Sequence, residues 1–414
     1  MHKQNLKLNI AILLSIIFSF TITGCWNRKE FSDISICTAL GYDQVIVDNK
    51  PKLLWSAYCI KTTPAEGGGG SSSTPSGSNK GMVISSLGEN VIDAAFSWNL
   101  RAPRTYFISD AQVMLIGEEL AKAGISEEMD VFMRQKDLRP RTLVAVCQGM
   151  AVDALQAQPE IESLLSGELK EKIDVSYFRA SKSPHTDLIQ LTRDLLTPGK
   201  EVVLPLLKLV SPPESPSMIS GNENQSQVSG GQPRKKILVL AGSAVFIDDR
   251  MAGTLDEEET QGMLFVTNKF NTGALPLTVT DQNKSVTFII RNTKTEVKPI
   301  INEDSVEFEI KIKGQGNLLE QKDSEVDTSE EDFAKAEELI DQQVENFCLQ
   351  SVQKCQELNS DVFGFGSIIA RSQPDYWEKI ERQWAEVFPT VNIRVVADFR
   401  IENAGLMSKP IVIK

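Results

Sequence analysis

Cysteines, histidines and one acidic run are the groups in this 414-residue chain whose types and spacing could do chemistry. Nucleophilic catalysis of the Ser-His-Asp or Cys-His kind needs an imidazole beside the nucleophile. The chain has only His2 and His185. His185 sits in Ala180-Ser-Lys-Ser-Pro-His-Thr-Asp, a loop-like stretch with no partner pattern, and reads as a surface or capping residue. The cysteines, at 25, 37, 59, 147, 348 and 355, form no CxxC pair, and a zinc site of the Cys/His kind is poorly supplied. On a helix, Cys348 and Cys355 would stand about 10.5 Å apart along the axis, too far for a disulfide. The internal cysteines read as buried thiols, although Cys37 and Cys59 could meet across neighbouring strands. The acids Asp256 to Glu259, inside Gly253–Gly262, invite a metal or acid–base reading. Asp256 three residues before Glu259 is also a capping box, with acids at the positive end of a helix, and this structural reading is preferred. No G-x-S-x-G, H-E-x-x-H, phosphate-cradling glycine loop or dinucleotide fingerprint occurs. The expectation is a protein that is no enzyme, with no catalytic, cofactor-binding or metal residues.

Cys25 is different. Lys3 and Lys7 open the chain without an acid, and Leu8 to Ile22 is apolar apart from Asn9, Ser15, Ser19 and Thr21. Fifteen helical residues span roughly 22 Å, short of the ~30 Å hydrocarbon core, which fits a secretory signal better than a spanning helix. The signal ends in Ile22-Thr23-Gly24-Cys25, which resembles a bacterial lipobox with Ile22 in place of the usual Leu. Small residues at 23 and 24 let an extended backbone enter a protease site, and Cys25 supplies the nucleophile that takes diacylglycerol. Each buried lipid methylene contributes about 0.8 kcal/mol, so two or three acyl chains hold a soluble domain at a membrane. Trp26 suits the membrane–water boundary.

Loss of residues 1–24 removes two lysines and no acid, taking the formal charge from −13 to −15. Such a balance argues against nucleic acid and against electrostatic adhesion to anionic lipid, both of which need basic patches. The length suggests two or three domains.

Two low-complexity stretches punctuate the chain. The Gly/Ser-rich residues 65–80 separate a strand over Lys52–Ile60 from a helix expected to begin near Ser86, and read as an insertion within a domain. Residues 211–235, rich in Ser, Pro, Gly and Gln, read as a linker. Strands are expected over Ile34–Leu40, Val45–Val47 and Ala111–Ile116, and helices over Leu87–Asn99 and Glu118–Ala123. Mixed elements follow over Glu127–Gln135, Thr142–Cys147, Ala151–Gln156 and Ile161–Glu171. Ile237–Phe246 is a continuous apolar strand. Val306 to Lys313 alternates apolar and charged residues, a strand with one buried face. A long helix over Glu331–Leu358 places Phe333, Ile340, Val344, Phe347 and Cys355 on one face. Another runs from Pro374 to Pro389 with Trp377, Ile380, Trp384 and Val387 on its core side. Val391 to Ile401 alternates again. The fold class is therefore α+β, in three domains of mixed or antiparallel sheet with packed helices: 25–210, 236–300 and 301–414.

Stretches in order along the chain resemble one family. Gly24-Cys-Trp-Asn-Arg-Lys-Glu30 is similar to the GCWDRRE-type start of the Ger(x)C spore germination lipoproteins, the C subunits of nutrient germinant receptors. Ala102-Pro-Arg-Thr-Tyr-Phe, Val113-Met-Leu-Ile-Gly-Glu-Glu-Leu-Ala, Gly242 to Gly262, Asp361-Val-Phe-Gly-Phe-Gly and Trp384-Ala-Glu-Val-Phe-Pro resemble its later segments. Asn27 replaces a usual Asp and Gln261 a usual Arg, which leaves open any contact that arginine makes.

The resemblance implies a subunit lipid-anchored through Cys25 to the outer face of the spore inner membrane, needed for receptor assembly and the response to germinants. Its partners would be the receptor's A and B subunits and membrane lipid, with no nucleic acid. Direct small-molecule binding stays open, as does the role of Gly253–Gly262 beyond capping. The competing reading is a solute-binding lipoprotein of a transporter, against which the half-solvated strands of the last third argue.

Overall fold

The computed structural model describes residues 31–61, 81–211, 236–278, 285–302, 305–321 and 330–403. Cys25, the signal, the Gly/Ser insertion and nearly all of the 211–235 stretch lie outside the described residues.

The described strands form two sheets. Strands β1 (Ile34–Val47), β2 (Lys50–Ile60), β3 (Gly81–Gly88), β4 (Thr105–Phe107), β5 (Val113–Gly117), β6 (Leu143–Cys147), β7 (Val203–Val210), β8 (Ile237–Ile247) and β9 (Arg250–Leu255) make the first. Its order is β3-β2-β1-β5-β6-β7-β8-β9, with β4 paired to β1 off this path. The centre, β1 through β7, is parallel and the flanks are antiparallel. Every residue of β5 and β6 is buried, as their unbroken apolar runs require of parallel strands covered on both faces. Helices α1 (Val91–Ser97), α2 (Glu118–Ala123) and α3 (Ser126–Arg134) cover one face, packing Phe132 and Trp98 onto Tyr42, Met114 and Val144. Helices α4 (Ala151–Leu155) and α5 (Leu165–Val175) cover the other, packing Leu155, Leu169 and Ile173 onto Leu115, Ala145 and Leu207. Helix α6 (Leu188–Leu195) adds Leu188 and Leu191 to the first face.

Strands β10 (Gly273–Thr278), β11 (Ser285–Ile301), β12 (Val306–Gln321) and β13 (Asn392–Asn403) form the second sheet in chain order. Helix α7 (Glu257–Val266) precedes it, α8 (Glu330–Glu357) lies along it, and α9 (Phe365–Ser372), α10 (Pro374–Ile380) and α11 (Trp384–Val387) close one end. Val306, Phe308, Ile310 and Ile312 are buried while Lys311 and Lys313 face solvent, so the expected alternation holds. Thr260 to Val266 of α7 are all buried, so the helix beyond its acidic first turn is enclosed on every side. One core joins Val203 and Val245 of the first sheet to Met263 and Phe265 of α7 and to Phe288, Ile310 and Phe399 of the second. Each of these side chains contributes about 1.5–3 kcal/mol by leaving water.

The structure corrects several expected boundaries. Ile34–Leu40 and Val45–Val47 are one strand of 14 residues, because the buried Asp43 between them is satisfied by a helix start far along the chain. Asp43 accepts from the backbone N–H groups of Ala151 at 2.6 Å and Val152 at 2.9 Å. The helix expected near Ser86 starts at Val91: Ser86 to Gly88 complete β3, and Asn90 caps α1 by accepting from Asp93 N. Residues 62–80 thus join two antiparallel strands, not a strand and a helix. Over 161–171 the chain turns helical only at Leu165, because the Glu168 carboxylate gathers the N–H groups of Glu160, Ile161 and Glu162 ahead of it. The helix expected from Pro374 to Pro389 is broken by a 3-10 turn at Glu381–Gln383, and Pro389 lies in a second such turn, Phe388–Thr390.

The sheets also cross the boundaries expected at 210, 235 and 300. Strands β7 and β8, on either side of 211–235, are direct antiparallel neighbours, with Val210 opposite Ile237. Residues 236–300 give β8 and β9 to the first sheet and β10 and β11 to the second.

Candidate functional site

Cys25 lies outside the described residues, and the structure places the remaining cysteines in the interior as free, buried thiols. Cys37 and Cys59 do meet: they are register partners of β1 and β2, with sulfurs 2.7 Å apart. The adjoining Cys37 thiol and burial together push the Cys59 thiol far up, so it carries no thiolate. Burial likewise raises Cys147, Cys348 and Cys355. None of these four thiols is an activated nucleophile.

The acidic run does what its spacing dictates. Asp256 accepts from Glu259 N, and the Glu259 carboxylate accepts from Asp256 N, both at 2.9 Å, closing the capping box of α7. The helix then packs flush on α8, where a Cβ on Gly262 would stand 2.0 Å from the Phe347 carbonyl oxygen. Gln261 donates through Nε2 to Ala180 O at 3.3 Å, which is the contact made at the position of the family's usual arginine.

Asp361 organises the C-terminal helices. Its buried carboxylate accepts from Phe365 N at 3.0 Å, Gly366 N at 2.9 Å and the Trp384 indole N–H at 3.1 Å. Burial pushes its carboxyl up to about 6 despite these donors. The Asp361 carbonyl accepts from Glu201 N, tying this clasp to the entrance of β7. Glu201 in turn is pushed up to about 7, by burial first, then by the charges of Asp248 and Asp361, against the opposing Asp248 N–H. The quoted turn over Asp361–Gly366 and the quoted Trp384 segment are therefore two halves of one interior contact.

A concave surface of different character lies where α5, α6 and the turn after α7 converge. This cleft encloses about 740 Å³ and is lined by Arg139, Arg141, Lys170, Tyr177, Arg193 and Lys269, among others. Its frame is stitched by backbone: Val144 N to Thr186 O at 2.9 Å, Leu188 N to Thr142 O at 3.1 Å and Ile189 N to Pro140 O at 3.2 Å. Ser181, left-handed at φ 48°, accepts through its hydroxyl from Asn271 N and Thr272 N, so the 176–185 segment is fastened to the second sheet. His185 lies here, its Nε2 2.9 Å from Asp174 and its ring tilted against Tyr177. A second cleft of about 580 Å³ shares Gln190, Arg193 and Lys269 and adds Lys200 and Arg371. Sequence reasoning named none of these cations, because they are scattered from residue 139 to residue 371 and no local pattern links them.

Two family models divide the chain. Residues 27–209 match the one described as spore germination protein N-terminal domain, and residues 241–405 the one described as spore germination B3/GerAC like, C-terminal. The chain belongs to the GerAC-like family of spore germination proteins. It is 24% identical over 408 residues to spore germination protein B3 of Bacillus subtilis (strain 168), covering 96% of this chain and 99% of that protein. To spore germination protein KC of the same organism it is 22% identical over 413 residues, covering 98% and 97%. A crystal structure of the GerBC protein superposes with a TM-score of 0.54 at 19% identity, covering 89% of this chain and 98% of that one, so the fold is shared. In this chain the second family segment begins inside a strand of the first sheet: residue 241 falls in β8, beside β7. Among the described residues no three His, Cys, Asp or Glu side chains are grouped to hold a metal, and no helix is long and apolar enough to cross a membrane.

Proposed function

We propose that this chain is the C subunit of a nutrient germinant receptor, held at the outer face of the spore inner membrane by acyl chains on Cys25 and assembled with the A and B subunits. One observation carries the reading: the family match begins at residue 27, two residues behind the cysteine that ends a signal-like apolar run, and continues to residue 405. The subunit's work in this reading is assembly and scaffolding, with no reaction, cofactor or metal of its own. The quoted motifs support that role, since Gly262, Asp361 and Trp384 are spent on joining elements inside the fold. The test is Cys25→Ala in a strain whose other nutrient receptors are deleted. The variant is expected to leave the membrane fraction and to slow nutrient-triggered germination, while nutrient-independent triggers act normally. Normal nutrient germination with a soluble, unacylated chain refutes the reading.

A further inference from the structure

Three cations of the first cleft, Arg141, Arg193 and Lys269, have no ionic partner among the described residues, whereas Arg139 and Lys170 beside them are paired. Among the described residues Arg141 and Lys269 have no side-chain partner, and Arg193 meets only the neutral Gln190 Oε1 at 3.4 Å. Of the nearby acids, Asp174 and Asp194 are paired with cations, whereas Asp187, which lines the cleft, keeps its charge beside a backbone N–H. Asp174 receives Lys170 at 2.5 Å and His185 at 2.9 Å, Asp187 accepts from Gln190 N to cap α6, and Asp194 receives Lys200 at 2.5 Å. Glu171 also faces Lys170, and Arg139 is held by Asp110 at 2.6 Å. In a chain of formal charge −13 this arrangement is costly: like charges converge on a concavity where field lines focus. Burial and neighbouring Lys200 depress the Lys269 ammonium, against a pull from Asp194, so Lys269 keeps its charge most easily with an anion beside it.

We propose that this cleft is a binding site for a small multivalent anion bearing phosphate or carboxylate groups, gripped by Arg141, Arg193 and Lys269. Guanidinium forks meet either group with two parallel hydrogen bonds, and the lysine adds a point charge from the cleft floor. A volume of about 740 Å³ falls in the range that admits a small organic ligand. The backbone pairing of 140–144 with 186–189 holds the Arg141 main chain at a fixed distance from α6, while the exposed Arg141 and Arg193 side chains are ordered on binding. The site sits at the seam of the two sheets, where an occupant contacts α5 and α6 on one side and the turn after α7 on the other. The inference goes beyond the receptor reading and stands or falls separately from it.

The phosphate could belong to a free solute or to a lipid headgroup, and two measurements separate these. In the first, detergent-solubilised full chain is titrated calorimetrically at low salt with inorganic phosphate, pyrophosphate and citrate. In the second, the chain from residue 25 carrying Cys25→Ser, which lacks both the apolar leader and an acyl anchor, is floated with phosphatidylglycerol or phosphatidylcholine vesicles. Saturable binding of a free anion, weakened about tenfold by Lys269→Met and more by Arg141→Gln with Arg193→Gln, supports the site as a solute pocket. Flotation only with phosphatidylglycerol, lost in the same variants, supports it as a headgroup pocket. Arg134→Gln, which alters an exposed ion pair on α3, is expected to change neither readout. Absence of binding in both measurements, or binding that the cleft variants leave intact while their melting curves match the parent, overturns the proposal.

Discussion

At the scale of residues, the interior contacts set the clearest expectations. Asp361→Ala would leave the N–H groups of Phe365, Gly366 and Trp384 buried without an acceptor. An unsatisfied buried donor costs ~1–3 kcal/mol, so a loss of about 3 kcal/mol or more in urea unfolding is expected. Gly262→Ala must push α7 off α8, since the new carbon has no room before the Phe347 carbonyl, and a loss of at least about 2 kcal/mol follows. Glu201 gives a pH dependence of defined sign. Its carboxyl is raised from 4.5 to about 7, so the fold favours the protonated form. That stability is present below the ordinary glutamate range and is lost as pH rises through about 7. Glu201→Gln keeps an acceptor for Asp248 N, so the variant should melt above the parent at pH ~8 and level with it near pH ~4. An equal difference at both pH values would exclude this account. The buried thiols give a simpler check: native chain resists alkylation at Cys37, Cys59, Cys147, Cys348 and Cys355, and denatured chain reacts at all of them. Denatured, unreduced chain that spares only Cys37 and Cys59 would mean that this facing pair is oxidised.

At the scale of elements, the capping box and one edge device decide stability. Asp256→Ala removes the acceptor for Glu259 N and should cost about 1 kcal/mol, read by thermal melting. Strand β13 is an edge strand, and an edge exposes unpaired N–H groups. Here Ala397 N, Phe399 N and Ile401 N donate to Glu345, Asp341 and Glu337 of α8. The match is geometric: four helical residues rise ~6 Å and two strand residues ~6.6 Å, so an i, i+4 row of acids tracks alternate strand N–H groups. The sequence shows Glu337, Asp341 and Glu345 only as the polar stripe of an amphipathic helix. Their role depends on a strand some 50 residues further on. The broken helix after Pro374 has the same kind of cause: the Trp384 indole must reach Asp361, and the 3-10 turn at Glu381–Gln383 redirects the chain.

At the scale of the molecule, the two sheets share one core, and the family's own division of the chain does not follow them. Residues beyond 236 complete the first sheet before the second begins, so the 27–209 segment on its own lacks β8 and β9. A chain truncated after residue 211 should expose the buried edge of β7 and aggregate, whereas one truncated after Asp256 should stay soluble longer. Sedimentation of the two fragments would tell them apart.

The sequence by itself determined whatever neighbours along the chain can decide. The capping box, the alternation of Val306–Lys313 and the amphipathic α8 all follow from period, propensity and caps within a few residues. Tertiary structure alone decided which strands pair across 211–235, how α8 covers an edge, and why Asp361 and Trp384 belong together. It alone brought Arg141, Arg193 and Lys269 to one cleft. The reason is physical: a period or a cap is set by covalent geometry, whereas a pairing between distant segments is chosen by the burial and hydrogen bonds of the whole fold.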